Sequence, residues 1–318
     1  MRKHFSGILL ATGIGLVAFF ISKFTPSFIN SYLLALVLGM LLAPQIVNKT
    51  QLSSGINWSG AKMLEWSVIL LAFGIDYHAI AQVGFQSFIS IAFVIFAILF
   101  LTINLSKWLS CPAKSGWLIG FGTAICGSSA IAALAPKIKA KEEDVAISLA
   151  TVNLLGSLGM LLLPILFQFY PLLVNEMAFL IGASLHSVGN VAGAGYAVSE
   201  EVGQLALVYK MARVALLSPA LILMSWLDAK GQGQRKVEWK LPWYLIGFLL
   251  ISMSVSIFPL SDGVIEFTEF SGKLVLTIAM AAIGLKVHFK QLLIAGKRGL
   301  LFAVLIFLLQ IGLLFLLK

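Results

Sequence analysis

Long apolar runs separated by short polar ones set the pattern of the whole chain. A transmembrane helix needs about 20 predominantly apolar residues, so these runs predict an all-α polytopic membrane protein with about ten or eleven transmembrane helices. The predicted spans lie near residues 5–22, 28–47, 58–75, 84–105, 117–136, 144–168, 177–198, 202–227, 241–259, 270–285 and 299–317.

The composition agrees with this pattern. Of the 318 residues, 60% are hydrophobic and 11% are charged, whereas soluble domains carry about 25% charged residues. No hydrophilic domain interrupts the spans, so we predict a single transmembrane, transporter-like domain over residues 1–318 that contacts the lipid bilayer. The basic N-terminus and the apolar run after it resemble a signal peptide. No small-x-small cleavage site follows, which favours a retained first span.

Charge sets the expected orientation. The formal net charge is +9, and most of the excess basic residues lie in short loops. The positive-inside rule then predicts a multi-pass protein of the bacterial inner membrane with a cytoplasmic N-terminus, and no nucleic-acid partner is expected. Three lysines after span 117–136 are the exception, because a full crossing would place them outside: Lys137, Lys139 and Lys141. They stay cytoplasmic if 117–136 and 177–198 re-enter, and the sequence leaves both arrangements open.

Two predicted spans are poor continuous helices. Span 177–198 contains four glycines, two serines, a histidine and an asparagine. Span 117–136 is centred on the run Gly122-Thr123-Ala124-Ile125-Cys126-Gly127-Ser128-Ser129. Glycine and hydroxyl residues weaken a helix, so we predict two broken or re-entrant helices, whose free N–H groups and hydroxyls would line a solute site. A small-residue packing seam is the alternative.

Polar side chains in the spans indicate the chemistry of the solute. His186 and Asn190 are four residues apart and share a face while helical geometry lasts. Lys210 and Arg213 lie inside an apolar window, and cations beside hydroxyls and helix N-termini suit an anion; snorkelling to the interface is the alternative. Asn153 would add an amide, with core packing as its alternative. No carboxylate lies deep in any predicted span, which argues against a cation pump built on a buried carboxylate pair.

No catalytic constellation is found. Cys111 and Cys126 lack a metal-type spacing, and there is no nucleophile elbow, zincin motif or phosphate-binding loop. We therefore expect no enzyme, no metal and no cofactor, with Na⁺ or H⁺ as candidate coupling ion and a homodimer as candidate assembly. The segments 71–78 and 281–288 are weakly alike. They predict inverted repeats, with chance similarity as the alternative.

One long segment resembles a known family. The stretch GTAICGSSAIAALAPKIKAKEEDVAISLATV at 122–152 resembles the hallmark segment of the YeiH-like bacterial membrane proteins, to which sulfate export is attributed. LHSVGNVAGAG at 185–195, VYKMARVALLSP at 208–219 and LTIAMAAIGLKVHFKQL at 276–292 follow in the order of the family, so the resemblance covers nearly the whole chain.

The resemblance implies an inner-membrane protein related to ion-coupled symporters and antiporters with crossed broken helices, and it implies export of sulfate or sulfite. The family's second segment usually reads His-Asp-Thr-Ala-Gln, whereas this chain has Ser187 in place of the acidic residue. The coupling or the solute is therefore in doubt. The matching site positions are Cys126, Gly127, Ser128, Ser129, His186, Lys210 and Arg213.

Our leading hypothesis is a secondary transporter, acting as an exporter, of a small anion such as sulfate or sulfite across the bacterial inner membrane. A sodium- or proton-coupled carrier of an organic solute, or a membrane protein with a structural or signalling role, are the alternatives. The predicted solute-binding residues are Thr123, Cys126, Gly127, Ser128, Ser129, Asn153, His186, Asn190, Lys210 and Arg213.

Overall fold

The computed structural model describes residues 2–24, 30–46, 50–75, 77–109, 111, 113–170, 172–228, 242–258, 260–286 and 296–318. Regular structure in these ranges is entirely helical, which confirms the predicted all-α polytopic membrane protein. The helices are α1 (Arg2–Ser22), α2 (Ser31–Ile46), α3 (Thr50–Trp58), α4 (Leu64–Leu71), α5 (Tyr77–Trp108), α6 (Ala113–Ala124), α7 (Ser128–Leu134), α8 (Glu142–Phe169), α9 (Val174–Ser184), α10 (Val188–Val198), α11 (Glu200–Ala215), α12 (Leu217–Asp228), α13 (Trp243–Ile257), α14 (Asp262–Leu285) and α15 (Gly296–Leu316).

Among the described residues, six helical stretches are long and apolar enough to cross a membrane. Two shorter apolar helices, Ser31–Ile46 and Trp243–Val255, accompany them. The span predicted near 58–75 is interrupted by a π-helix, Ser59–Met63, and ends in a 3-10 turn, Ala72–Gly74. The six long stretches are His4–Ser22, Gly84–Trp108, Glu142–Phe169, Glu200–Leu227, Asp262–Leu285 and Arg298–Leu316.

The predicted start of one span was wrong. We expected a helix from about residue 270, whereas α14 begins at Asp262, after Ser261 in the N-cap position. Hydropathy detects only the apolar part of a helix, and the polar turns before it continue the same helix. A carboxylate in the first turn is favourable there because of the helix dipole.

The chain forms two compact units whose segments alternate along the sequence. Unit 1 takes residues 1–82, 192–204 and 243–288, and unit 2 takes residues 83–191, 205–242 and 289–318. The first change of unit falls beside Gly84, which interrupts α5 with φ +67. The single domain expected over residues 1–318 stays a prediction.

Unit 1 is built on α14, which packs along α1, α2 and α4. Paired glycines let backbones approach closely at two crossings in this unit. A Cβ on Gly7 of α1 would lie 2.7 Å from Gly55 Cα of α3, and a Cβ on Gly39 of α2 would lie 3.0 Å from Gly284 Cα of α14. Small residues at crossings permit such packing in membranes, so small-residue seams occur in unit 1.

The connection between α10 and α11 also belongs to unit 1. Lys273 of α14 pairs with Glu200 at 2.7 Å and with Glu269 at 3.6 Å. The rings of Tyr32 and Tyr196 have centroids 5.9 Å apart. These contacts place the α10–α11 connection beside the N-terminal end of α2.

Unit 2 contains both predicted broken helices. Helix α8 packs against α6 and α7, and α15 packs against α6, α8 and α9. All ten predicted site residues lie within this unit.

Candidate functional site

The first break divides span 117–136, as predicted. Helix α6 ends at Ala124 and α7 begins at Ser128. Between them, Gly127 has φ +68, a conformation that residues with a Cβ rarely adopt. Its N–H donates to the carbonyl of Gly122 at 2.8 Å, which closes the end of α6.

The chain reverses direction at this break. A continuous helix would separate Gly122 from Ile131 by about 13.5 Å, but a Cβ on Gly122 would lie 2.9 Å from Ile131 Cγ1. At the end of the segment away from the break, Lys114 Nζ donates to the carbonyl of Lys139 at 2.8 Å. The two halves of segment 113–139 therefore fold back on each other, as a re-entrant arrangement requires.

The second break lies between α9 and α10. Helix α9 ends at Ser184, and Leu185 is extended with φ −65 and ψ 148. Helix α10 begins at Val188, where Ser187 Oγ accepts the N–H of Asn190 at 3.0 Å. A serine that accepts an N–H of the first turn is a typical N-cap. The polar residues of span 177–198 thus end one helix and start another, as predicted.

His186 lies inside this break, so it does not share a helix face with Asn190. The two residues instead border the same glycine of α8, Gly156. A Cβ on Gly156 would overlap the Asn190 amide and would lie 3.2 Å from His186 Cβ. The sequence argument placed the two residues together through helical spacing, whereas the structure brings both of them to Gly156 of the neighbouring helix α8.

Two buried cations of α11 join the breaks. Lys210 and Arg213 are both 0% exposed. Lys210 Nζ donates to the carbonyl of Ile125 in the first break at 2.8 Å. It also donates to the carbonyls of Leu185 at 2.7 Å and His186 at 2.8 Å in the second break.

Arg213 makes the corresponding contacts with its three nitrogens. Its Nε donates to the carbonyl of Ala124 at 2.7 Å, its Nη1 to that of Leu185 at 2.7 Å, and its Nη2 to that of Thr123. Carbonyls at helix C-termini lack intrahelical donors and carry partial negative charge. Both cations therefore hold the broken ends together. Their role as partners of an anion stays a prediction.

The His186 ring is held from two sides. Its Nε2 lies 3.3 Å from Thr123 Oγ1, and its ring packs on Phe307 of α15 with centroids 4.7 Å apart. One turn further along α15, Gln310 Nε2 donates to the carbonyl of Ala183 at 3.1 Å. In the part of the chain that the structure describes, His186 Nδ1 and Gln310 Oε1 are buried atoms without a hydrogen-bond partner.

The accessible part of the site is made of hydroxyl and amide groups. Ser128 Oγ donates to Asn153 Oδ1 at 2.6 Å, so Asn153 lies beside the first break. Ser129 and Asn153 are exposed and Ser128 is half-buried, whereas Thr123 and Cys126 are buried. The more exposed polar groups of the site are therefore hydroxyls and an amide, whereas its two cations are buried against carbonyls.

Sequence reasoning missed two residues of this region. Gln310 has the only side-chain amide of its otherwise apolar span, 299–317, and this isolated polar residue could have indicated a buried contact. Gly156 gave no local signal, because its importance comes from the Asn190 amide packed against it.

Comparison with known proteins gives a consistent set of matches. A family model described as Conserved hypothetical protein 698 matches residues 6–303. A UPF0324 membrane protein of Wolinella succinogenes is 33% identical over 94% of this chain and 92% of its own length. The UPF0324 inner membrane protein YeiH of Salmonella typhimurium is 31% identical, over 86% and 80%. No solved structure matches the chain.

Proposed function

The chain belongs to the UPF0324 family of membrane proteins, as its resemblance to YeiH-like proteins predicted, and from this premise we propose that it is a secondary transporter of a small anion such as sulfate or sulfite. The observation that carries the proposal is the pair of helix breaks in unit 2. Broken helices buried in protein are the usual way in which transporters build a polar solute site inside a membrane.

The charges around the breaks favour an anion. Lys210 and Arg213 add two positive charges to a fully buried region. The N–H groups of both side chains donate to carbonyls, but hydrogen bonds to neutral carbonyls leave the net positive charge of the two cations unchanged. In a low-dielectric environment that charge attracts an anion over several ångströms. The anion would contact Ser128, Ser129 and Asn153, while His186 and Asn190 would shape the site.

The orientation is part of the proposal. With the N-terminus in the cytoplasm, α1 places the start of α2 outside, and the α10–α11 connection beside it lies outside too. Because segment 113–139 returns, the lysines at its two ends share the side of Lys107, in keeping with the positive-inside rule. These cytoplasmic lysines are Lys107, Lys114, Lys137, Lys139 and Lys141.

The same rule makes the second broken segment re-entrant as well. Arg298, at the start of α15, is cytoplasmic by the rule, so Lys318 at its end lies outside. Lys318 Nζ lies 3.3 Å from Glu176 Oε1, which puts the start of α9 outside. Since α10 ends outside as well, segment 174–198 would enter and leave on the same side.

The test is the thermal stability of the purified protein with sulfate, sulfite and chloride, with and without Na⁺, at two pH values. A ligand that binds the folded form at about 100 times its Kd stabilises it by about 2.7 kcal/mol. We expect sulfate or sulfite to raise the melting temperature, and the Ser128→Ala Asn153→Ala variant to lose most of this rise. Ser254→Ala removes an exposed serine of α13 and should keep it.

The other outcomes separate the alternatives. A rise with Na⁺ and a carboxylated solute, but with no inorganic anion, would favour a sodium-coupled carrier of organic solutes. No rise with any ligand would overturn the proposal and favour a structural or signalling role.

A further inference from the structure

We propose that His186 takes up the coupling proton on Nδ1, and that this proton and the anion bind together. The inference rests on the proposed transport function and names its coupling ion. Its starting point is a pair of buried polar atoms, His186 Nδ1 and Gln310 Oε1, that have no hydrogen-bond partner among the described residues.

The hydrogen bonds around His186 leave room for one proton. With Nε2–H as the donor to Thr123 Oγ1, Nδ1 of a neutral ring carries a lone pair and no hydrogen. Gln310 Oε1 is likewise only an acceptor. An unpartnered polar atom is costly inside a membrane protein. One added proton turns Nδ1 into a donor, and Gln310 Oε1 is the acceptor suited to it.

The position of Gln310 supports this pairing. Its Nε2 is fixed on the carbonyl of Ala183, three residues before His186. Phe307, one turn before Gln310 on the same helix, packs on the His186 ring. The amide and the ring therefore belong to one contact between α15 and the second break.

Nearby charges make the proton depend on the anion. Lys210 and Arg213 of α11 are the charged groups of this contact, because Lys210 Nζ donates to the carbonyl of His186 and Arg213 Nη1 to that of Leu185. Cys126, a thiol, precedes Gly127 in the first break. Among the described residues, the groups of α8 and α15 shown in contact with His186 are uncharged, from Gly156 and Phe307. A protonated His186 would be a third positive charge in this region, and like charges oppose one another strongly at low dielectric.

A bound anion supplies the missing negative charge. The backbone of His186 touches Gly127, where a Cβ would lie 3.4 Å from the His186 carbonyl oxygen. Gly127 directly precedes Ser128, the predicted anion contact. The anion therefore lowers the repulsion that a proton on His186 meets. By linkage the proton strengthens anion binding to the same extent.

The experiment measures the Kd for sulfate by titration calorimetry between about pH 5 and pH 8, where histidine ordinarily titrates. Sulfate keeps a constant charge over this range, so any pH dependence belongs to the protein. Uptake of one proton with each anion predicts that Kd rises about tenfold per pH unit on the alkaline side. In weakly buffered solution, adding sulfate should also raise the pH.

Variants assign the effect to His186. His186→Asn should bind sulfate with a Kd that no longer depends on pH, and Gln310→Leu should show a weaker dependence than the wild type. His4→Asn is the matched control, because His4 contacts Ser54 in unit 1, and it should keep the full dependence.

The failures of the two proposals are distinguishable. If the wild type binds no sulfate at any pH, the proposed anion transport falls and this inference with it. If it binds sulfate with a Kd independent of pH, only the proton inference is overturned. A tenfold dependence that persists in His186→Asn would also overturn it.

Discussion

Replacing Lys210 with methionine tests whether the buried cations hold the helix breaks together. Methionine keeps an unbranched side chain and removes the ammonium group. The carbonyls of Ile125 and His186 would lose the Lys210 donor that each accepts, whereas the carbonyl of Leu185 would keep Arg213. We therefore expect Lys210→Met to lower the stability of the fold.

The size of the loss follows from the two carbonyls. Each buried acceptor left without a donor costs about 1–3 kcal/mol, or about 2–6 kcal/mol for two. Methionine also removes the cost of burying a charge, which offsets part of this. We expect a net loss of about 2–4 kcal/mol, equivalent to a melting temperature about 4–8 °C lower at about 2 °C per kcal/mol.

A double-mutant cycle sharpens the test. Arg213→Met frees the carbonyls of Ala124 and Thr123, but again leaves Leu185 with one donor. Only Lys210→Met Arg213→Met leaves Leu185 with neither. The double variant should therefore lose about 1–3 kcal/mol more than the sum of the single variants.

The assay is thermal unfolding of the purified protein, followed by loss of helical circular dichroism, with Lys107→Met as the control because Lys107 is exposed. If Lys210→Met melts at the same temperature as that control, the cations do not hold the breaks. If the stability loss of the double variant equals the sum of the two single losses, Lys210 and Arg213 do not share a role at the Leu185 carbonyl.

Two further predictions concern the packing and the orientation. Gly156→Ala should abolish the sulfate-induced rise in melting temperature, because its Cβ would displace the Asn190 amide; Gly13→Ala, with nothing within 4 Å of its Cβ, should keep it. Equal effects of the two changes would contradict the packing argument. A cysteine at Ala140 should react with an impermeant maleimide only in inverted vesicles, and one at Glu201 only in intact cells. The opposite pattern for either would refute the proposed orientation.

Much of the fold could be predicted because its signals are local. The length of the apolar runs predicted most spans. The run from Gly122 to Ser129 predicted the first break, because its residues weaken a helix. In the structure, the break lies at Gly127, whose positive φ a residue with a Cβ would rarely adopt. The serine at position 187 likewise marks the start of α10.

The arrangement of the site could not be predicted, because it depends on contacts between distant segments. The sequence identified Lys210 and Arg213 as unusual cations, but their carbonyl partners exist only after two helices have ended early. Gln310 was missed for the same reason, since Ala183 lies 127 residues away along the chain. The return of segment 113–139 became evident through the contacts of Gly122 with Ile131 and of Lys114 with Lys139.

The glycine pairs of unit 1 have a consequence for how that unit keeps its shape. Where Gly7 meets Gly55 and Gly39 meets Gly284, the contact is backbone on backbone. No side chain has to be frozen in one rotamer to form it, so these crossings carry none of the rotamer entropy that packed side chains lose. These two crossings therefore form without the side-chain ordering that other helix contacts require.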